Sequence, residues 1–290
     1  MLSIVIPAYN EAGAIGKTVA TVKEILENDE NISEYEILVV DDGSCDETGQ
    51  NAEKCGARII TNLHNLGYGR SLKNGIAAAI HDTICIIDGD LTYPADRIPE
   101  LYEEHKKGFD LVVGSRTGSN FSGILAKGPL RWILRHLVEF AAGRPVPDPN
   151  SGLRVFSKST IRQLEPYLCD TFSFTTSMTL GYMRSSKFVK HIPIEYHDRH
   201  GQTNVKLFKD SLRTLQYIVQ AILYYNPMKI FTLFSALCIL MSLIGFLVGM
   251  ITNVGVFYYL SIGSLLISII MFGFGLLADL LRQILNKSVE

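Results

Sequence analysis

Two long runs without a single charged side chain constrain this chain more than anything else in it. Ile230 to Ile251 and Val254 to Ala278 contain no Asp, Glu, Lys, Arg or His, whereas charged residues are frequent up to Lys229. At about 1.5 Å per residue, either run as a helix covers the roughly 30 Å hydrocarbon core of a bilayer. The alternative, a buried helical hairpin in a soluble protein, requires two such runs in succession to find a protein core. Thr252, Asn253 and Gly255 leave room for only a very short connection, which suits two helices whose outer ends return to the same side. Lys206, Lys209, Arg213 and Lys229 precede the hairpin and Arg282 and Lys287 follow it, while its turn has no basic residue. The positive-inside rule then puts everything outside the spans in the cytoplasm. Met1-Leu-Ser-Ile-Val-Ile-Pro7 reads directly as a strand without a basic leader, so no signal peptide is expected.

The 290 residues suffice for one substantial soluble core plus this appendage. The expected organisation is a catalytic domain over 1–205, a juxtamembrane amphipathic helix over 206–228, two membrane helices over 229–280 and a cytoplasmic tail over 281–290. A net charge of -2 gives no support to a nucleic-acid partner. Cys45, Cys55, Cys85, Cys169 and Cys238 show no metal or disulfide spacing.

Upstream of the hairpin, short β-branched runs alternate with helical stretches. Leu2 to Pro7, Tyr35 to Asp41, Ala57 to Thr61, Thr83 to Asp88 and Phe109 to Ser115 read as strands. Ala14 to Leu26, Glu47 to Lys54, Gly69 to Ile80 and Ala95 to Lys107 read as helices, the last punctuated by Pro94 and Gly108. This order predicts an α/β fold with a mostly parallel sheet covered on both faces. Ligands of such sheets bind beyond the carboxyl ends of the strands. Three polar motifs fall there: Pro7-Ala-Tyr-Asn-Glu11, Asp41-Asp-Gly-Ser44 and Asp88-Gly-Asp-Leu-Thr-Tyr-Pro94.

A rim so rich in carboxylates binds a diphosphate only with help from a cation. Asp88 and Asp90 offer the hard oxygen ligands that Mg2+ or Mn2+ takes; two aspartates at a strand end are also ordinary turn formers. There is no Gly-x-Gly-x-x-Gly after the first strand and no Walker sequence, which argues against a dinucleotide cofactor and a P-loop. Asn65-Leu-Gly-Tyr-Gly-Arg-Ser71 could let backbone approach a nucleotide, or simply start a helix.

These residues resemble the family 2 glycosyltransferases of GT-A fold, and within them the polyprenyl-phosphate glycosyltransferases such as dolichol-phosphate mannose synthase. The resemblance is carried by Ile6-Pro-Ala-Tyr-Asn-Glu11, Asp41-Asp-Gly-Ser44, Asp88-Gly-Asp90, Gly114-Ser-Arg116, Asp148-Pro-Asn-Ser-Gly-Leu-Arg154 and Arg199-His-Gly-Gln-Thr203, in the family's order. It implies that Pro7, Tyr9, Glu11, Asp41, Asp42, Gly69, Asp88 and Gly89 hold the donor nucleotide, and that Asp88 and Asp90 hold Mg2+ or Mn2+ on its diphosphate. Arg116, Lys127, Arg131, Ser151, Arg199 and Thr203 would meet the acceptor phosphate. Asp148 looks like the family's acidic residue beside the acceptor, the usual candidate base. Two positions depart from the pattern: Thr92 stands where the mannose synthases place a glutamine ligand, and Asn204 where a lysine is expected, with Lys206 two positions on.

The acceptor is expected in the membrane. Pro129 to Phe140 mixes Arg131 and Arg135 with Trp132, and Leu207 to Tyr225 carries an apolar stripe at helical spacing; each is either a membrane-surface segment or a core helix. The reaction implied is inverting transfer of a sugar from a nucleotide-sugar to a polyprenyl phosphate, undecaprenyl or dolichyl. Because a phosphate monoester is largely ionised at neutral pH, Asp148 is expected to position groups more than to abstract a proton. Rival readings are the same donor chemistry on another lipid or a glycan, and a nucleotide-binding membrane scaffold without turnover. No Gln-x-x-Arg-Trp of a processive polysaccharide synthase is present, and no charge in the spans marks an ion path. A homo-oligomer is compatible with the sequence.

Overall fold

The computed structural model describes residues 1–117, 136–140, 142–165, 168–171, 173–197, 215–216, 219, 222–223 and 226–287, the last three of these as backbone. It divides into two units, Met1–Ile218 and Val219–Glu290.

The first unit is built on seven strands: β1 (Leu2–Ala8), β2 (Tyr35–Asp41), β3 (Arg58–Thr61), β4 (Thr83–Ile86), β5 (Leu111–Thr117), β6 (Arg154–Ser157) and β7 (Val189–Glu195). Their order across the sheet is β3-β2-β1-β4-β6-β5-β7. Among the described residues its main helices are α1 (Ile15–Glu27), α2 (Thr48–Lys54), α3 (Tyr68–Ala78), α4 (Ile98–Lys106), α5 (Lys158–Leu164) and α6 (Phe174–Arg184).

β1 is central because nearly every position in it is apolar and buried, the mark of a strand covered on both faces. Alternate residues of the sheet feed two cores. Ile4 and Ile6 join Ile15, Val19, Val22 and Leu26 of α1 on one face. Val5, Leu38 and Val40 join Leu72 and Ile76 of α3 and Phe174 and Met178 of α6 on the other. The i, i+4, i+7, i+11 spacing in α1 gives it one apolar stripe, and each such side chain buried contributes roughly 1.5–3 kcal/mol. At Gly75 a Cβ would fall 2.8 Å from Val40 Cγ2, so α3 lies closer to the sheet than a side chain would permit.

The five strands and four helices expected between Leu2 and Ser115 are found, and the sheet is mostly parallel. One strand departs from the alternation: β6 pairs antiparallel with β4 and with β5. Its reversed direction matters for the site. Arg154, at its amino end, stands beside Ile86 of β4 and Val113 of β5. The preceding segment, Asp148 to Leu153, is therefore delivered to the same rim as the carboxyl ends of β1, β2, β4 and β5.

The second unit holds α7 (Pro227–Thr252) and α8 (Gly255–Lys287), both long and apolar enough to cross a membrane. Asn253 closes α7 in the left-handed conformation, φ 57°, its amide bonded to Gly249 O at 2.9 Å. The helices touch through small residues: Ser235 Oγ lies 2.8 Å from Ser268 Oγ, and Ser242 Oγ 3.1 Å from Ser261 Oγ. A Cβ on Gly275 would meet Phe231 Cβ at 2.8 Å. The expected tail from 281 continues as helix through Lys287. Most of the expected amphipathic helix, and residues 129–135 of the Arg/Trp stretch, lie outside the described residues.

Candidate active site

Three loops meet at the rim, each fixed by its neighbours. After β1, Asn10 adopts φ 55°; its amide bonds Ser44 Oγ at 3.0 Å and its Oδ1 accepts the Cys45 amide at 2.9 Å. The Glu11 amide donates to Thr48 Oγ1 at 2.8 Å. The loop carrying Tyr9 and Glu11 is thus tied to the one after β2. Asp41 ends β2, with its Oδ1 accepting the Ser44 amide at 2.9 Å. Asp42 turns the other way: its buried carboxylate accepts Asn62 Nδ2 at 2.8 Å and the amides of Leu66 and Gly67 at 2.9 and 2.8 Å. Those bonds commit Asp42 to holding the loop before α3.

β2 and β4 flank β1, with Ala8 opposite Asp41 and Val5 opposite Ile86. Asp41 and the Asp88 turn therefore stand two inter-strand spacings apart, about 10 Å. In that turn Leu91 takes φ 64°. Thr92, where a third ligand was in doubt, is fully buried and donates its hydroxyl to Asp90 Oδ1 at 2.6 Å, so it orients Asp90. Tyr68 donates its hydroxyl to Asp88 Oδ1 at 2.9 Å. Gly89 is buried against α1: Thr18 Oγ1 donates to its carbonyl at 2.9 Å.

The opposite wall is a buried ion pair. Arg116, near the end of β5, grips Asp148 with Nε to Oδ2 at 2.7 Å and Nη2 to Oδ1 at 2.9 Å, and its amide donates to Oδ2 at 3.1 Å. The Asp148 side chain is 2% exposed, that of Arg116 17%. Burial pushes the Asp148 carboxyl up, but the hydrogen bonds and charge of Arg116 outweigh it and hold the group below the usual carboxylate range. Tyr196, just past β7, lies against the Arg116 guanidinium, 5.3 Å from ring centroid to Cζ, and meets Tyr93 edge-on. Tyr93 Oη accepts the Gly152 amide at 2.7 Å. Arg154 is fully buried and wraps the turn, donating to the carbonyls of Pro149 and Ser151 and to Thr179 Oγ1, each at 2.7 Å. Burial lowers its pKa to about 10, which leaves it charged at neutral pH. Behind the pair, Ser115 Oγ lies 2.9 Å from His191 Nδ1. Burial, then the charge of Arg154, pushes that imidazole down to about 4.

The structure brings Pro7, Tyr9, Glu11, Asp41, Asp88, Asp90, Arg116 and Asp148 to one rim. Three of the expected site residues are engaged by the chain itself: Asp42, as above, Ser151 and Gly69. Ser151 is fully buried and donates its hydroxyl to Gly114 O, so it anchors the turn instead of facing an acceptor phosphate. At Gly69 a Cβ would fall 2.5 Å from Cys169 O and 2.8 Å from Thr171 O, so it faces the 169–171 segment. Lys127, Arg131, Arg199 and Thr203 lie outside the described residues. Sequence reading passed over Tyr68, Tyr93 and Tyr196. The available signals were Tyr68 between two glycines and Arg154 between apolar Leu153 and Val155, a charge in a core strand.

Among the described residues, no three acidic, His or Cys side chains gather at one point. That suits Mg2+ or Mn2+ in the style of nucleotide enzymes, where one or two carboxylates hold the ion and substrate phosphates and water complete its shell. Asp88 and Asp90, hard donors two residues apart on one turn, fit that role.

Residues 3–165 match the Glycosyl transferase family 2 model. The chain is 29% identical over 231 residues to a low-salt glycan biosynthesis hexosyltransferase of Haloferax volcanii, covering 75% of this chain and 53% of that one. It is 25% identical over 304 residues to the undecaprenyl-phosphate 4-deoxy-4-formamido-L-arabinose transferase of Edwardsiella ictaluri, covering 98% and 90%. The chain thus spans about half of the first relative's length and nine-tenths of the second's. Glucosyl-3-phosphoglycerate synthase from Mycobacterium tuberculosis, solved with Mn2+, UDP-glucose and phosphoglyceric acid, shares the fold: TM-score 0.61 at 19% identity over 76% of this chain and 79% of that one. The family match runs from β1 through β6 into α5, so it takes in every strand that carries the rim carboxylates, and the chain belongs to glycosyl transferase family 2, a glycosyltransferase of GT-A-like fold.

Proposed function

We propose that this enzyme moves a sugar from a nucleoside-diphosphate donor to the phosphate of a polyprenyl lipid, with inversion, at the cytoplasmic face of a membrane. The observation that carries the reading is the rim itself: a two-carboxylate turn at β4 faces an arginine-bearing wall delivered by β5 and β6. Asp41, with Pro7, Tyr9 and Glu11, would hold the nucleoside, and its distance of about 10 Å from the Asp88 turn leaves room for a ribose and the first phosphate. A Mg2+ or Mn2+ ion on Asp88 and Asp90, when bound, neutralises the diphosphate as it leaves.

An acceptor phosphate oxygen forms the new bond to the anomeric carbon as the bond from that carbon to the diphosphate breaks. The products are a glycosyl phosphodiester on the lipid and a free nucleoside diphosphate. With a second pKa of about 6, the acceptor monoester is mostly dianionic at neutral pH, so no side chain has to take a proton. Asp148 suits this economy. It is ionised, buried and gripped at both oxygens by Arg116, so its role is to aim that guanidinium along the rim, where the charge favours both phosphates. The membrane side of the proposal is supported by α7 and α8 and by the likeness to the Edwardsiella undecaprenyl-phosphate 4-deoxy-4-formamido-L-arabinose transferase.

The test is turnover by the purified chain with Mg2+ or Mn2+, a panel of UDP- and GDP-sugars, and undecaprenyl and dolichyl phosphates. A glycolipid that forms only with metal, carries the inverted configuration and fails to form when a polyprenol lacking phosphate replaces the acceptor is the expected result. Product on diacylglycerol or on glycan, but not on polyprenyl phosphate, would overturn the acceptor assignment.

A further inference from the structure

We infer that Tyr68 is a positioning residue for metal binding, orienting Asp88 from the start of α3. The inference rests on the proposed role of Asp88 as a metal ligand and extends it to a residue on a different element. Tyr68 Oη donates to Asp88 Oδ1 at 2.9 Å. The chain at Gly152 lies against the same carboxyl: a Cβ there would fall 2.6 Å from both Asp88 Cγ and Oδ1. Asp88 is therefore held by a phenol and crowded by bare backbone, which restricts its carboxyl.

The placement of Tyr68 is itself constructed. Gly67, at φ 96°, makes the turn into α3, and its amide is held by Asp42 Oδ2 at 2.8 Å. Gly69 admits the 169–171 segment to within contact of the helix start, where the Arg70 amide donates to Asp170 O at 2.9 Å. Lys73, one turn on, pairs with Asp170 at 2.7 Å. The helix start is thus pinned from below by Asp42 and from the side by residues 169–171, and its first side chain reaches across the sheet edge to the end of β4. Carboxylates that ligate metals are oriented by hydrogen bonds from a surrounding shell, and removing such a partner typically costs about 10–100-fold in metal affinity. Thr92 does the same for Asp90, through the chain next to it; Tyr68 does it for Asp88 through a helix that belongs to the nucleotide side of the rim.

The test is Mn2+ affinity of the full chain in detergent, read by electron paramagnetic resonance, with UDP and, separately, GDP present. Parent, Tyr68→Phe and Asp88→Asn are compared. Tyr68→Phe keeps the ring and removes only the hydroxyl; Mn2+ binding is expected to weaken by about tenfold or more with unchanged thermal unfolding, and turnover to recover as Mn2+ is raised. Asp88→Asn should abolish nucleotide-dependent Mn2+ binding. If Asp88→Asn fails to bind while Tyr68→Phe matches the parent, the inference about Tyr68 is wrong and the metal site stands. If Asp88→Asn binds like the parent, or the parent binds no Mn2+ with either nucleotide, the metal reading and this inference fall together. A Tyr68→Phe defect that excess Mn2+ does not relieve would overturn the inference in favour of a structural role.

Discussion

The catalytic unit and the C-terminal hairpin keep opposite things inside. In the catalytic unit, leucine, isoleucine and valine fill both faces of the sheet, as burial from water requires. In the hairpin the buried positions include Ser235, Ser242, Ser261 and Ser268, while Leu240, Met241, Phe246 and Leu266 face outward. One region packs by hiding apolar surface; the other packs by close approach of small residues and hydroxyl pairing, the mode of helices whose surroundings are already apolar. The regions also differ in charge. The catalytic unit buries charged side chains near the rim, Asp41, Asp42, Asp90, Asp148 and Arg154, whereas among the described residues the buried polar side chains of the hairpin are serines. The lesson is that large electrostatic consequences belong to the rim and small ones to the hairpin.

The largest effect is expected where the comparison is sharpest, at the β4 turn. Asp88→Asn should reduce turnover by about a thousandfold, the upper end for removing a group that stabilises developing charge. Initial rates at saturating donor check it, with thermal unfolding unchanged. A loss below tenfold would mean that the rim's charge is not concentrated on the reaction.

The ion pair comes next. Asp148→Asn leaves the Arg116 charge buried without its partner, a defect worth about 3–5 kcal/mol of stability. Denaturant unfolding of the full chain reads it, and Asp148→Asn combined with Arg116→Met should regain part of the stability without regaining turnover. Because the folded state lowers the Asp148 pKa, the pair's contribution is complete above the ordinary carboxylate range and fades only as pH falls through the folded value. The pair's contribution is therefore constant between pH 5 and 8, and turnover lost by Asp148→Asn should not return at raised pH.

His191 acts in the same direction but in a higher pH window. Its imidazole, lowered chiefly by burial and then by the charge of Arg154 against the opposing Asp148, is held neutral down to about 4, while an unfolded histidine titrates near 6.5. Its contribution is whole above pH 6.5 and is lost as pH falls toward 4, on the order of 3 kcal/mol. His105, lowered chiefly by its own burial, adds to the same slope. Unfolding midpoints at pH 7, 5.5 and 4.5 should converge for His191→Gln relative to the parent; parallel curves would show that the histidine is protonated in place.

Much of this contrast is legible in the chain itself, because solvent writes its preference residue by residue. The charge-free runs and the apolar strands with their acidic ends announce both regions and the rim. What does not show in local pattern is direction. β6 is four residues, too short for its alternation to reveal that it runs against its neighbours, and that reversal alone brings Asp148 to the rim. Partner choice is equally hidden. Ser151 and Gly69 sit in motifs that suggest ligand contact, yet each serves the chain's own packing, since a buried hydroxyl must find an acceptor and a close crossing must lack a side chain. Tyr68 escaped notice for the converse reason: its role depends on Asp88, twenty residues away.

The smallest effect probes the hairpin. Ser235→Ala removes one hydroxyl from the 2.8 Å pair with Ser268 and leaves the helix contact otherwise intact. Hydrogen bonds between helices in a membrane average about 0.6 kcal/mol, because the separated helices find other partners for their polar groups. Reversible unfolding of the full chain in mixed micelles should therefore place Ser235→Ala within about 1 kcal/mol of the parent, several times less than Asp148→Asn. A loss as large as that of the ion pair would break the comparison, since a lone hydroxyl has that much to lose only where the alternative is an unsatisfied group in a protein core.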